Sequence, residues 1–263
     1  MVNRYSFYIT ISILSSIVIL FLLTPIVLVF LFADYDIVKY SLIQEPSLSS
    51  EAWKALLVSI KAATTSTLIL LVCGVPLAYV LARRTFLGKS VIESVLDMPL
   101  LLPHAVAGIL VLLTYSSRTP IGNLLSKIGI VIEDSFWGIV AAMMFVSAPI
   151  MIDTIRSGIE SLDPMLECVA RSLGASPARV FLTITLPLSW RSIVTAILMT
   201  WARSMSEVGA ILIVAYYPKS INVLVIEWFN TYGLQYAVAL TIPLLLISIT
   251  LFTLVKIVIG GKR

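Results

Sequence analysis

One histidine, two cysteines and little charge leave this chain few ways to do chemistry. Bis-histidine haem and most zinc sites need more imidazole than His104 alone supplies. Cys73 lies in an apolar run and Cys168 in a polar loop, which argues against a disulfide. Neither has a second cysteine at metal-ligand spacing. Charged residues make up 12% of the chain, about half the share of a soluble domain. The apolar alternation of a membrane β-barrel is absent. A cleavable leader is not expected either. The run from Phe7 to Ala33 is far longer than a signal core of about 7–15 residues, and no clean small-x-small site follows it.

What is present is apolar length, at 59% of all residues. About 20 apolar residues cross the roughly 30 Å hydrocarbon core as a helix, and in lipid each backbone polar group must be satisfied internally. The expected fold class is therefore an all-α membrane protein. Six transmembrane helices are placed at about 7–33, 53–81, 98–115, 136–155, 191–216 and 234–259. They form one membrane domain over residues 1–263, with an inner loop at about 158–190 and no regulatory domain expected after the last span.

Lys and Arg orient the spans. With the N-terminus inside, eleven basic residues fall on the cytoplasmic side and five outside, so both termini are expected in the cytoplasm. The outer loops carry acids instead, among them Asp34, Asp36, Glu45, Glu133 and Asp134. The net charge of +4 thus reports topology rather than affinity for nucleic acid.

Four segments carry candidate function. Gly88-Lys89-Ser90 imitates the end of a phosphate-binding loop, but Arg83 stands where that loop needs its first glycine and no strand precedes it. It reads as a tight turn with basic anchors. At the entry of the third span, Pro99 and Pro103 are four apart, so the helix is expected to kink or break. Irregular backbone at that depth survives where protein buries it or a wet cavity solvates it. Pro99, Pro103 and the neighbouring His104 are therefore candidate pathway residues, with a packing kink and a structural histidine as the alternatives. In the fifth span, Arg203 and Glu207 are four apart and share a helix face, with Thr200 and Ser204 on or beside it. An arginine near mid-membrane costs about 2.5–3.5 kcal/mol on insertion scales, so it should face protein or water. The group lines an anion path or holds two spans together; Lys61 is a weaker case that can snorkel.

The fourth segment is Asp163–Pro187, DPMLECVARSLGASPARVFLTITLP. Asp163 and Ser176 are N-cap residues, each followed by proline at the first helical position. Gly174 stands just past the end of the first helix, and Pro187 closes the second. The two helices, 164–173 and 177–186, are about ten residues or roughly 15 Å each, too short to span. Such a capped pair in a loop presents a docking surface to the water phase.

Gly174, nine residues, then Ile184-x-Leu186-Pro187 resembles the coupling loop of permease subunits of binding-protein-dependent ATP-driven importers. The family's usual Glu-Ala-Ala opening would put its acid at Cys168; here Glu167 stands one residue earlier. The run Leu166-Glu167-Cys168-Val169-Ala170-Arg171-Ser172-Leu173-Gly174-Ala175 is similar to the molybdate, tungstate and sulfate branch. So are Gly74–Tyr79, Asp97–Gly108 and Trp201–Ala210, and the likeness covers most of residues 53–215. The resemblance implies the type I importer permease fold, with Glu167, Val169, Ala170, Arg171, Gly174, Ala175, Ile184, Leu186 and Pro187 coupling to ATPase subunits. It further implies a homodimer with the path at its interface, two ATPase subunits that bind ATP and magnesium, and an extracytoplasmic oxyanion-binding protein on the outer face. No cofactor, metal or catalytic residue is expected on this chain. Sulfate or another solute is the alternative cargo. An intramembrane enzyme is disfavoured because His104 has no serine motif to serve, and a secondary carrier because no internal repeat is visible and it needs no coupling loop.

Overall fold

The computed structural model describes residues 4–260, and every regular element among them is helical. In chain order these are α1 (Arg4–Phe32), α2 (Tyr35–Lys39), α3 (Pro46–Arg83), α4 (Lys89–Leu101), α5 (His104–Tyr115), α6 (Pro120–Lys127) and α7 (Phe136–Glu160). There follow α8 (Pro164–Ser172), α9 (Pro177–Val180), α10 (Leu186–Leu188), α11 (Trp190–Met205), α12 (Gly209–Val214), α13 (Ile221–Tyr232) and α14 (Leu234–Gly260). Tyr40–Gln44 and Phe181–Thr185 are π turns.

Four of these helices, α1, α3, α7 and α14, are long and apolar enough to cross a membrane, and the bent pair Pro177–Leu188 and Trp190–Met205 counts as a fifth only when its two arms are taken as one span. Two of the six expected spans are interrupted, the third where its prolines predict a break and the fifth without that cue. The third expected span breaks between α4 and α5. Leu102 (ψ 138°) and Pro103 (ψ 136°) are extended, because a proline disfavours helical backbone in the residue before it and cannot donate to the preceding turn. Pro99, by contrast, is accommodated within α4 and is buried. The fifth expected span stops at Met205 and resumes at Gly209 without any proline. There side chains replace the helical bonds. The Ala210 N–H donates to Glu207 Oε1 at 2.8 Å, and Asn222 Nδ2 donates to the carbonyls of Met205 (2.6 Å) and Glu207 (3.0 Å).

The chain divides into two compact units, one made of the residues up to Ala52 with Val225–Ile247, the other of Trp53–Leu224 with the residues from Ser248 onward. In the first unit no residue of the apolar stretch Phe7–Phe32 is buried. Its polar turn is fixed by Asp34, whose carboxylate caps α2 through the N–H groups of Asp36 and Ile37 and whose own N–H donates to Gln235 Oε1 at 3.1 Å. Trp228, Tyr232 and Tyr236 stack edge-on or tilted at 5.1–6.3 Å, and Trp228 Nε1 donates to Glu51 at 3.3 Å. Amphipathic rings of this kind suit the headgroup level of a membrane.

The second unit is built on α3, α7 and α11. Leu70, Val75, Ala78 and Leu81 of α3 meet Met151, Ile152, Ile155 and Ile159 of α7 and Ala196 of α11. Lipid tails are as apolar as leucine, so such helices hold together by close packing of small residues and by hydrogen bonds. Ser204 of α11 is the hub: its Oγ lies 3.2 Å from Ser66 of α3 and 3.1 Å from Ser147 of α7, all three fully or nearly fully buried. At the other polar end, Glu133 accepts from Ser116 Oγ (2.5 Å), Ser117 N–H (2.7 Å) and Ser117 Oγ (3.0 Å). Burial pushes its carboxyl up, but these donors outweigh that and hold it at about 2 against an ordinary 4.5. A depressed folded-state pKa contributes stability above pH 4.5 that is lost as pH falls through about 2. Glu133→Gln is therefore expected to lower the thermal midpoint in detergent at neutral pH, with the gap from wild type closing below pH 4.5. A gap that stays constant with pH would contradict this.

The loop pair is also corrected in part. The first helix forms as expected, with the Asp163 carboxylate accepting from the Met165 N–H at 2.9 Å. The second starts at Pro177 under the Ser176 cap but does not end before Pro187. It passes through the π turn Phe181–Thr185 and continues to Leu188. Pro187 has no N–H and crowds the carbonyl four residues back; widening the turn so that the Leu186 N–H reaches Phe181 O, five residues back, absorbs that clash. The chain then bends by 71° into α11.

Candidate functional site

Two places in the second unit gather the expected residues. The first is the loop. Helix α8 ends in a complete Schellman motif. The Ala175 N–H donates to Ala170 O at 3.1 Å and the Gly174 N–H to Arg171 O at 3.0 Å. This closure requires the left-handed φ of +89° that Gly174 adopts. Ala170 and Ala175 thus serve as closure points, and Arg171 points an exposed side chain outward. With its ends fixed, α8 shows water an apolar face of Met165, Leu166, Val169 and Leu173, of which Val169 is 54% and Leu173 84% exposed. Ile184 is half-buried within the π turn and Leu186 packs on the unit's core, while Pro187 is exposed.

Glu167 does not share that outward face. It is turned inward, where Oε1 accepts from Arg83 Nε (2.8 Å) and Thr185 Oγ1 (2.9 Å) and Oε2 from Tyr79 Oη (3.1 Å). Arg83 also donates from Nη2 to Leu162 O at 3.2 Å. Burial raises the pKa of Glu167, but the Arg83 and Thr185 hydrogen bonds and the Arg83 charge outweigh it and hold the carboxyl below its ordinary 4.5. Sequence reading missed these partners. A cue existed for two of them, since Tyr79 and Arg83 are one helical turn apart in the last turns of α3.

The second place joins the two helix breaks. His104, the first residue of α5, and Glu207, in the gap between α11 and α12, are 2.7 Å apart through Nδ1 and Oε2. Arg203 Nη1 donates to the same Oε2 at 3.1 Å. Its Nη2 lies 3.2 Å from Nδ1 and 3.5 Å from Nε2 of His104. Beside an ionised Glu207 the consistent arrangement has Nδ1–H donating to the carboxylate, which leaves Nε2 as the only ring acceptor for Arg203. The Glu207 side chain is wholly buried, that of Arg203 is 23% exposed and that of His104 52%. The approach is close enough that a Cβ on Gly209 would stand 2.5 Å from that of His104. A buried carboxylate with three donors thus holds an accessible guanidinium in place, and that guanidinium is the donor an oxyanion could meet.

Of the other expected path residues, Pro103 is exposed beside this cluster as the N-cap residue before α5, and Pro99 is buried in α4. Thr200 and Ser204 do not join it. Both are fully buried on the adjoining, packed side of α11, Ser204 in the serine hub and Thr200 with its hydroxyl lacking a protein partner. Thr200 lies three residues before Arg203 and Ser204 directly after it, but the packing of α3 and α7 takes their side of the helix. Among the described residues no group of three or more His, Cys, Asp or Glu side chains could hold a metal ion.

Known proteins bear on both places. Residues 74–261 match the family described as binding-protein-dependent transport system inner membrane component. The molybdate/tungstate transport system permease protein of Thermococcus kodakarensis is 46% identical over 205 residues, 78% of each chain. That of Pyrococcus abyssi is 42% identical over 251 residues, 95% of this chain and 94% of its own. A solved bacterial ABC transporter that imports the acidic polysaccharide alginate shares the fold, with a TM-score of 0.71 at 16% identity over 99% of this chain and 97% of that one. The matched segment contains the whole loop and both helix breaks, and with those relatives it settles the family: this chain is an inner-membrane component of a binding-protein-dependent transport system.

Proposed function

We propose that this chain is the permease subunit of an ATP-driven importer that passes a tetrahedral oxyanion, molybdate or tungstate, through a homodimer. The observation that carries the coupling half of this reading is the exposed apolar face of α8 on a capped, closed loop. Four large apolar side chains held in water on a rigid knob are a protein-docking surface, and each protomer would seat them on one ATPase subunit that binds the nucleotide and magnesium. The names of the 46% and 42% identical relatives support molybdate and tungstate as cargo. The Arg203 guanidinium, steadied by Glu207 and His104, fits a transient contact with a dianion at a helix break. A soluble oxyanion-binding protein would deliver it to the acidic outer face. Gating is then rigid-body motion around the path, with no covalent step on this chain.

The direct test is ATP-dependent molybdate uptake into proteoliposomes that hold this chain with its ATPase subunit, the binding protein being added outside. No uptake of molybdate, tungstate or sulfate would overturn the reading, and calorimetry on the binding protein ranks the three. Orientation is tested by labelling single cysteines from outside the cell. With both termini cytoplasmic, a probe at Ser49 is expected to react and one at Ser176 to stay silent. The opposite pattern would invert the topology.

A further inference from the structure

The loop's acid is in the wrong place to touch a partner. In the sequence Glu167 sits inside the docking segment, yet its carboxylate is turned away from the exposed face formed by Met165, Leu166, Val169 and Leu173. Its side chain is only 13% exposed and that of Arg83 11%. One carboxylate binds donors from two other elements: Tyr79 and Arg83 of α3, and Thr185 of the π turn that leads into α11. Arg83 extends the tie to the carbonyl of Leu162, just before α8. The elements it joins are those a displaced loop would have to move.

We infer that Glu167 is a positioning residue, a buried tie that passes movement of α8 into α3 and α11 and makes no contact with the ATPase. The inference rests on the docking role proposed above and goes beyond it, by separating the residues that hold the ATPase from the residue that transmits its motion. Charge-assisted hydrogen bonds are strong and directional. A single carboxylate that satisfies three donors resists shear between the elements better than apolar contact, which slides. Without the tie, α8 can follow the ATPase while the spans stay behind.

The test compares Glu167→Gln and Glu167→Ala with Val169→Asp, a substitution on the exposed face. For each, the co-expressed ATPase subunit recovered with the tagged permease, the ATPase stimulation by molybdate-loaded binding protein, and molybdate uptake are measured. Val169→Asp is expected to lose the ATPase subunit. Both Glu167 variants are expected to keep it at wild-type stoichiometry while stimulation and uptake fall together by about tenfold or more. Arg83→Met is expected to do the same, and Arg83→Met with Glu167→Gln to be no worse than either alone, since each single change already breaks the tie. If Glu167→Ala fails to reach the membrane, Glu167→Gln and Thr185→Val, which remove less, carry the comparison. Loss of the ATPase subunit from Glu167→Gln to the extent seen with Val169→Asp would overturn the positioning role and leave the docking role standing. Wild-type uptake by Glu167→Ala would overturn it too. Full ATPase recovery with Val169→Asp would instead remove the docking role itself.

Discussion

Glu207→Ala is expected to abolish transport and to destabilise the protein, because it strips the acceptor from His104, Arg203 and the Ala210 N–H at once. The charge left behind on Arg203 can reach water, so the main loss is the buried Ala210 N–H left without its acceptor, which costs about 1–3 kcal/mol. Thermal unfolding in detergent followed by tryptophan fluorescence reads that loss. The more informative variant changes both members. Arg203→Met with Glu207→Gln removes both charges, while the glutamine oxygen can still accept from His104 or from the Ala210 N–H. This protein is expected to insert, to bind the ATPase subunit and to unfold near the wild-type midpoint, with uptake reduced by more than about tenfold because the guanidinium that would meet the dianion is gone. If the double variant takes up molybdate at a near-normal rate, the pair only holds the helix break together.

Gly174→Val is expected to break coupling without disturbing insertion. At φ +89° a β-branched residue is strained, whereas nothing lies within 4 Å of a Cβ placed there, so the effect is backbone conformation alone. Non-glycine residues held in sparsely populated regions cost about 1–3 kcal/mol. The Schellman closure of α8 would open instead, and the apolar face would lose its fixed presentation. A graded series follows: asparagine tolerates the left-handed region best, alanine less and valine least. ATPase recovery and uptake should fall in that order. A valine variant that transports at the wild-type rate would remove the loop from the coupling role.

The loop was legible because its signals are local. Asp163, Pro164, Gly174, Ser176 and Pro177 each act within a few residues, and the caps and the turn stand where those residues place them. The course of the second loop helix was not, because Pro187 reads as a stop and the π turn upstream relieves the clash that would have made it one. The Arg203–Glu207 pair was visible as a one-turn spacing, but its third member is 103 residues away in the chain from Glu207 and no local pattern announces it. The break at Ser206–Val208 carries no proline. It is held open by Asn222, a partner from a later element that sequence spacing cannot reveal. The burial of Thr200 and Ser204, placed on or beside the Arg203 face, was not legible for a related reason: spacing groups residues on a helix, while the neighbours decide which of them face a packed interior.

The 71° elbow between Leu188 and Trp190 has a mechanical consequence. Pro177–Leu188 is a lever of about 18 Å at the rise of a helix. Turning such an arm by about 5° about the elbow sweeps its far end, where Gly174 and α8 begin, through roughly 1.6 Å. Run in reverse, a push of that size at the loop becomes a few degrees of rotation at the first turn of α11, the helix that carries Arg203 sixteen residues after Pro187. Gearing of this ratio would let the proposed ATPase subunit, moving by little more than a bond length, tilt the helix that carries Arg203.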